Sequence, residues 1–172
     1  QCNRLINLSA YLPPMRILFL IVLLCSSCFA TAQRTVDDLL QQYNTHSVPY
    51  ISVEELRMQQ VNGSIIILDA REPEEFEVSH LPSAQHIGSI HFSSEEVSNK
   101  ISDKDTPIVV YCSLGIRSEA IGEKLKKAGF TNVQNLYGGI FEWKNKGYPL
   151  LDASKKETDS VHTFSKAWSK WL

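Results

Sequence analysis

The residue with the clearest chemical signature is Cys112. It directly follows Ile108–Tyr111, a run of β-forming residues, and a helical pattern begins just after it. A thiol between the carboxyl end of a strand and the amino end of a helix meets exposed backbone N–H groups and the positive end of the helix dipole. Both favour the thiolate, which is the reactive form of cysteine. The sequence therefore predicts a nucleophilic cysteine in an anion-binding loop.

The six residues after this cysteine supply the groups that such a loop needs: Ser113, Leu114, Gly115, Ile116, Arg117 and Ser118. We expect the backbone N–H groups up to Arg117 to stabilise the thiolate, and Gly115 to permit a turn that other residues resist. Arg117 either binds an anionic substrate as a fork or pins the loop by hydrogen bonds. The two serines are candidate hydroxyl donors. The apolar Leu114 and Ile116 predict a rim that does not favour a small, highly charged anion.

The first 32 residues have the features of an export signal. Arg16, the apolar run Ile17–Leu24 and the small residues Ala30-Thr31-Ala32 come in the order of a signal peptide. We therefore predict a signal peptide at residues 15–32, cleavage before Gln33, and export to a bacterial periplasm.

Alternatives to this cleavage remain open. An uncleaved segment could anchor the chain in the membrane, although the apolar run is shorter than the ~20 residues of a membrane helix. Lipid attachment at Cys28 is another option, but the leucine expected three positions earlier is Cys25. Residues 1–14, which begin with Gln1 and end in Pro13-Pro14, are predicted to lie upstream of the true start and to carry no function.

Cleavage would also decide which cysteines remain. Cys2, Cys25 and Cys28 all precede Gln33, so the exported chain would keep Cys112 alone and could form no internal disulfide. A lone thiol in an oxidising compartment is a liability unless it is used or buried. This favours a catalytic role for Cys112 over that of a small buried hydrophobe.

Length and charge limit the classes of function. Residues 33–172 suffice for one domain with a substantial core and are too few for two typical domains. Arg4 and Arg16 are the only charged residues before Gln33, which leaves 15 basic and 19 acidic residues and a net charge of −4. Because basic side chains are scattered among acidic ones, the composition argues against nucleic acid or an anionic membrane as a partner.

Predicted strands and helices alternate along the exported chain. The strands are Ile65–Leu68, Ala84–Ile87, Pro107–Tyr111 and Val133–Leu136; the helices are Thr35–Tyr43, a short one after Ser52, Glu74–Val78, Ser93–Ile101, Ser118–Ala128 and Gly138–Lys146. Such alternation predicts an α/β fold with a mainly parallel sheet. Ligands bind outside the carboxyl ends of the strands in these sheets, and Asp69 and Cys112 both lie at such ends.

The C-terminal residues 151–172 are predicted to form a polar linker and an amphipathic helix. Val161, Phe164, Trp168 and Leu172 have the spacing of one helical face. That face either packs on its own domain or binds a protein partner.

Four segments resemble the motifs of single-domain rhodaneses, in the same order and at the same spacing. They are Leu68–Phe76, His80–Ile87, the loop Cys112–Ser118, and Tyr137–Trp143. The resemblance covers residues 48–150 and implies the three-layer fold of that family, in which helices flank a mainly parallel sheet of about five strands. Residues 33–47 would then form an N-terminal helix and a linker.

The resemblance implies a sulfurtransferase, and we expect no cofactor and no metal. In that family the cysteine attacks the outer sulfur of a donor such as thiosulfate and becomes a persulfide, and a thiol or cyanide then accepts the sulfur. Cys112 would be the nucleophile, and Ser113–Ser118 would form the substrate-binding loop. Asp69, Arg71 and His80 are expected to support this loop, the first two by hydrogen bonds that fix neighbouring loops.

Three residues depart from the family's motifs. Ser79 and Ser83 stand where glycine is usual, and His86 stands where asparagine is common. All three lie away from the cysteine loop, so we expect them to alter local turns more than chemistry. His80, His86 and His91 match no common metal-binding spacing.

Two other functions remain open. Phosphatases and arsenate reductases of related fold place five residues between cysteine and arginine, whereas four separate Cys112 from Arg117 here. In the rhodanese family the shorter loop goes with the transfer of sulfur and not of phosphate. In addition, Tyr111 stands where tyrosine phosphatases have a histidine. A rhodanese module without catalysis could bind a partner or report redox state, but such modules often lose the cysteine that this chain retains.

The export hypothesis predicts the start of the mature protein. When the chain is expressed in a bacterium, N-terminal sequencing of the processed form should begin at Gln33, because signal peptidase cleaves after small residues such as Ala32. A mature chain that keeps Ile17–Leu24, or one that starts at a lipidated Cys28, would contradict this prediction.

Overall fold

The computed structural model describes residues 34–63 and 65–172. Thr35–Leu172 forms a compact unit. The predictions for residues 1–14, for the signal peptide at 15–32 and for the three N-terminal cysteines lie outside the described residues. None of the helices in the described part combines the length and the apolar character that crossing a membrane requires.

Five parallel strands form the central sheet, as predicted. The strands are β1 Tyr50–Ile51, β2 Ile66–Asp69, β3 Gln85–His86, β4 Ile108–Tyr111 and β5 Val133–Leu136, in the order β1-β5-β4-β2-β3. β4 is central and buried along its whole length, which explains its continuous apolar sequence. In the register of β2 and β4, Asp69 pairs with Tyr111, so both strands end at the same edge of the sheet.

Helices cover both faces of this sheet. They are α1 Val36–Tyr43, α2 Val53–Val61, α3 Pro73–Val78, α4 Ser94–Lys100, α5 Ile116–Lys127 and α6 Gly139–Asn145. Three helices begin where a side chain caps the first turn, at Thr35, Ser52 and Ser93. At the start of α3 the Glu72 N–H donates to the carboxylate of Glu75.

Alternate residues of β4 enter two separate hydrophobic clusters. Val109 and Tyr111 pack with α2 and α6, while Ile108 and Val110 pack with α4 and α5. The result is the predicted three-layer α/β fold, and it fixes Cys112 at the end of the most deeply buried strand.

The C-terminal residues do not form the predicted amphipathic helix. They contain a short antiparallel pair, β6 Leu150–Leu151 and β7 Glu157–Thr158, and a single 3₁₀ turn at Ser169–Trp171. Phe164 has a φ of 62°, a left-handed conformation that interrupts a right-handed helix. The apolar spacing instead reflects docking on the chain's own domain, since Val161, Trp168 and Trp171 pack against the first hydrophobic cluster.

The three departures from the family motifs have different structural consequences. Ser79 has an extended backbone with φ −168°, which any residue adopts, and its carbonyl accepts a hydrogen bond from Arg71. His86 lies with Nε2 2.8 Å from the Arg71 carbonyl. Ser83 is the strained position, because its φ of 66° lies in the left-handed region that favours glycine.

Replacing Ser83 by glycine should stabilise the protein. The side chain is exposed, so Ser83→Gly removes backbone strain without loss of packing. We expect a gain of about 1 kcal/mol in the free energy of unfolding and a rise of roughly 2–4 °C in Tm, measured by thermal denaturation. Ser83→Ala keeps the strain and is the control. Equal stability of the glycine and alanine variants would contradict this assignment.

Candidate active site

The cysteine loop begins where β4 ends, and it leads directly into α5. Cys112 is 1% exposed. The helix begins at Ile116, two residues earlier than predicted, because Gly115 acts as its N-terminal cap with a φ of 109°. Four residues of the predicted loop thus lie outside the helix and three lie in its first turn.

Two residues provide the hydrogen bonds to the sulfur of Cys112. The backbone N–H of Gly115 donates to Sγ at 3.2 Å, and Ser118 Oγ lies 3.5 Å from Sγ. Of the amides from Ser113 to Arg117 that were expected to stabilise the thiolate, the one at Gly115 makes this contact. The left-handed conformation of Gly115 turns its N–H back toward the sulfur.

The surroundings of Cys112 favour its ionised form. Burial acts to raise the pKa of the thiol, but the charge of Arg117 and the hydrogen bonds from Ser118 and Gly115 outweigh it. The pKa of Cys112 is therefore lower than that of an ordinary cysteine. This agrees with the expected reactive thiolate.

The start of α6 holds the carbonyl groups of the same loop. Ile140 N–H donates to the Cys112 carbonyl at 2.9 Å, and Phe141 N–H donates to the Ser113 carbonyl at 3.2 Å. A Cβ at Gly139 would lie 2.3 Å from the Cys112 carbonyl oxygen, so only glycine permits this approach. The carbonyls of the loop are thereby held on the side of α6.

Arg117 pins the loop to helix α3. Its guanidinium donates to both carboxylate oxygens of Glu75, at 2.6 and 2.8 Å, and to Ser113 Oγ at 3.0 Å. Burial acts to raise the pKa of Glu75, but these bonds from Arg117 outweigh it and the pKa is lowered. Of the two predicted roles, the structure therefore shows the pinning role for Arg117. Glu75 was missed, although it lies within the motif Leu68–Phe76.

Segments on either side of the four family-like motifs contact the cysteine loop. The Arg117 guanidinium lies 4.7 Å from the centroid of the Phe164 ring in the C-terminal segment. On the other side, Asn44 Nδ2 donates to the Gly115 carbonyl at 2.9 Å. Leu40 of α1 packs so close to Gly115 that a Cβ there would lie 3.5 Å from Leu40 Cδ2.

A buried polar network lies on the β5 side of the sulfur. Ser118 Oγ donates to Asn135 Oδ1 at 2.7 Å, and Asn135 Nδ2 donates to the Gly115 carbonyl at 2.8 Å and to Glu119 at 3.0 Å. Asn135 is fully buried, and Glu119 nearly so. Sequence reasoning missed both, because no local pattern connects a residue of β5 with the loop after β4.

Asp69, Arg71 and His80, which were expected to support the cysteine loop, make their contacts with neighbouring loops and not with Cys112 Sγ. Arg71 forms a fully buried ion pair with Asp69, at 2.6 Å, and also donates to the Ser79 carbonyl. Asp69 raises the pKa of Arg71 against the opposing effect of burial. His80 stacks on Phe76 at a centroid distance of 4.1 Å. These contacts fit the expected structural role.

The predicted apolar rim is wrong in one respect. Leu114 is 1% exposed and belongs to the first hydrophobic cluster, so it does not line the surface of the loop. Ile116 is half-buried at the start of α5. Within the described residues, no group of three or more His, Cys, Asp or Glu side chains has an arrangement suited to a metal ion.

Comparison with known proteins matches the part of the chain that contains this site to one family. The family model described as Rhodanese-like domain matches residues 52–146. The thiosulfate sulfurtransferase GlpE of Coxiella burnetii is 36% identical over 91 residues, which cover 53% of this chain and 81% of that protein. The putative sulfur carrier protein YrkF of Bacillus subtilis is 37% identical over 107 residues, which cover 60% of this chain and 55% of that protein.

A solved structure agrees with the fold. The crystal structure of a thiosulfate sulfurtransferase from Pseudomonas aeruginosa superposes with a TM-score of 0.55 at 22% identity. The match covers 68% of this chain and 22% of that longer one. At this identity the likeness concerns the fold alone.

Removing the guanidinium of Arg117 should make Cys112 a weaker acid. Arg117→Ala deletes the charge that lowers the thiol pKa and leaves Glu75 buried without its partner. We expect a higher pKa, read from the pH dependence of the Cys112 Cβ chemical shift, and a loss of about 2–3 kcal/mol of stability. Arg57→Ala, which affects a bond to Gln60 within α2, is the control. An unchanged or lower thiol pKa would refute this role of Arg117.

Proposed function

Because the chain belongs to the family of rhodanese-like domains, we propose that it is a sulfurtransferase that carries sulfane sulfur as a persulfide on Cys112. The observation that carries the proposal is the buried Cys112 with a lowered pKa, held by the Gly115 amide beside Arg117. A module that only binds a partner would not require these stabilising groups around a thiol.

The first step loads the cysteine. The Cys112 thiolate attacks the outer sulfur of thiosulfate, a new S–S bond forms, and the bond between the outer sulfur and the sulfite sulfur breaks. Sulfite leaves with the electron pair of that bond, and the persulfide keeps the single negative charge that the thiolate had. The Gly115 N–H and Arg117 lie where they stabilise this charge on the sulfur pair.

The second step passes the sulfur to another molecule. A nucleophile such as cyanide or an external thiolate attacks the outer sulfur, and Cys112 departs as the thiolate. Cys112 is the sole cysteine of the described residues, so no second thiol there can resolve the persulfide internally. This supports an intermolecular acceptor.

The pairing of Arg117 bears on the choice of donor. Its guanidinium already binds both carboxylate oxygens of Glu75 and stacks against Phe164. It is therefore a poor fork for a free dianion such as thiosulfate. We propose that donors of lower charge, such as an organic persulfide, react more readily than thiosulfate.

We also propose that the protein acts after export. The order of Arg16, the apolar run Ile17–Leu24 and Ala30–Ala32 supports a signal peptide. A soluble periplasmic form and a form anchored through its N-terminus are the two outcomes that N-terminal sequencing separates.

Loading with sulfur gives the direct test. Incubation of the reduced protein with thiosulfate, and separately with a small organic persulfide, should add one sulfur, about 32 Da by intact mass spectrometry. Cyanide should remove the adduct and form thiocyanate. In the chain that starts at Gln33, where Cys112 is the sole cysteine, Cys112→Ser should show no adduct, because the hydroxyl does not form a persulfide.

The outcomes separate the candidate functions. Failure of every donor to load Cys112 would favour a partner-binding or redox-reporting module. Hydrolysis of an aryl phosphate that is lost in Cys112→Ser would favour a phosphatase. A sulfur adduct that persists in Cys112→Ser of the chain starting at Gln33 would contradict the assignment of the nucleophile.

A further inference from the structure

The hydroxyl of Ser118 has one proton and two neighbours that could accept it. Its Oγ lies 3.5 Å from Cys112 Sγ and 2.7 Å from Asn135 Oδ1. All three side chains are buried, so water does not readily supply a substitute donor. Because a hydroxyl carries a single proton, it matters which neighbour receives the hydrogen bond.

The orientation of the Asn135 amide is fixed by its other partners. Its Nδ2 lies 2.8 Å from the Gly115 carbonyl oxygen and 3.0 Å from Glu119 Oε2, and both of these atoms are acceptors. Both N–H bonds of Asn135 are therefore in use, and the amide cannot be flipped without facing oxygen to oxygen. Oδ1 must be the atom that faces Ser118, and it accepts.

The protonated state of the site follows from this geometry. Ser118 donates its proton to Asn135, and the lone pairs of its oxygen remain available to the thiol proton of Cys112. A chain of hydrogen bonds then runs from Cys112 through Ser118 to Asn135, and each donor has one acceptor. Ionisation of Cys112 breaks this chain of hydrogen bonds, because the sulfur no longer donates a proton. The thiolate instead attracts the hydroxyl proton that Ser118 had donated to Asn135.

We propose that Asn135 is a positioning residue for Cys112: it holds the Ser118 hydroxyl while Cys112 is a thiol, and the hydroxyl turns to Sγ when the thiol ionises. The hydroxyl proton stays bonded to Ser118 throughout, and the thiol proton leaves to solvent. The purpose of this arrangement rests on the proposed sulfur transfer, but the hydrogen-bond exchange itself needs no sulfur donor.

Other charged and titratable groups lie around the same sulfur. Arg117 with Glu75 lies on the α3 side, Glu119 lies behind Asn135, and Tyr50 bonds to Asn44. Substitutions at Ser118 and Asn135 remove none of these side chains, but Asn135→Leu also takes the Nδ2 donor away from Glu119. An effect that passes through Glu119 would persist in a Ser118→Ala background, whereas an effect of the Ser118 hydroxyl would not.

Asn135 competes with the Cys112 thiolate for the hydroxyl proton of Ser118, so the loss of Asn135 should lower the pKa of Cys112. Asn135→Leu, of similar size, frees Ser118 to donate to Sγ, and the pKa of Cys112 should fall by about half a unit to one unit. In a Ser118→Ala background the same substitution should leave the pKa unchanged. The pKa is read from the Cys112 Cβ chemical shift in the full chain.

Asn44 offers a matched control. Asn44→Leu removes a donor to the same Gly115 carbonyl but has no hydrogen bond to Ser118. It should not lower the thiol pKa. If Asn44→Leu lowers the pKa as much as Asn135→Leu, the effect comes from the Gly115 carbonyl and the proposal fails; it also fails if Asn135→Leu raises the pKa.

A second measurement needs no substitution at Asn135. In the wild-type chain the Asn135 Cγ chemical shift should titrate with the midpoint of Cys112, because its oxygen loses the Ser118 donor on ionisation. This response should vanish in Ser118→Ala, and Asn44 Cγ serves as the comparison. A response that persists unchanged in Ser118→Ala would be a through-space effect of charge and would overturn the proposal. Neither measurement involves a sulfur donor, so a failure of sulfur loading would leave both results valid.

Discussion

Lowering the pKa of a thiol that lies in the protein interior is the constraint on which this structure depends. Transfer of a charge from water to a protein interior is costly unless charges and hydrogen bonds replace the lost solvent. At Cys112 the replacement comes from the guanidinium of Arg117, the inward-turned N–H of Gly115, and the hydroxyl and backbone N–H of Ser118. None of these would face the sulfur if the loop had another backbone path.

The path of the loop is set from three directions. Helix α6 binds its carbonyls, α3 holds Arg117 through Glu75, and β5 presents Asn135 to the first turn of α5. All three contacts start from elements at the edge of the sheet where β2, β4 and β5 end. A loop of irregular shape thereby gains the rigidity of the regular elements around it, which a reactive group requires.

The sequence predicted the elements and the nucleophile because both depend on local patterns. The apolar run Ile108–Tyr111, followed at once by Cys112 and Gly115, specifies a strand, a turn and a helix start within ten residues. Glu75 and Asn135 carry no such local signature. Glu75 lies 42 positions before Arg117, and only the parallel pairing of strands brings the two together.

The C-terminal segment shows a different limit of sequence patterns. The spacing of Val161 and Trp168 correctly marks apolar side chains that pack against the domain. It does not specify the backbone between them, because burial requires only that these side chains reach the same surface. The left-handed Phe164 lets a non-helical chain do so.

Support for the cysteine loop from Asn44 and Phe164 has a consequence for modularity. Both residues lie outside the stretch 52–146 that the family model matches, yet Asn44 bonds to Gly115 and the ring of Phe164 lies against Arg117. The unit that could be transplanted intact into another protein is therefore larger than the recognisable domain. A recombinant chain that kept every family motif but exchanged the flanking segments would keep the nucleophile and change its surroundings. The flanking segments are therefore a place where the reactivity of the cysteine can change while the motif stays the same.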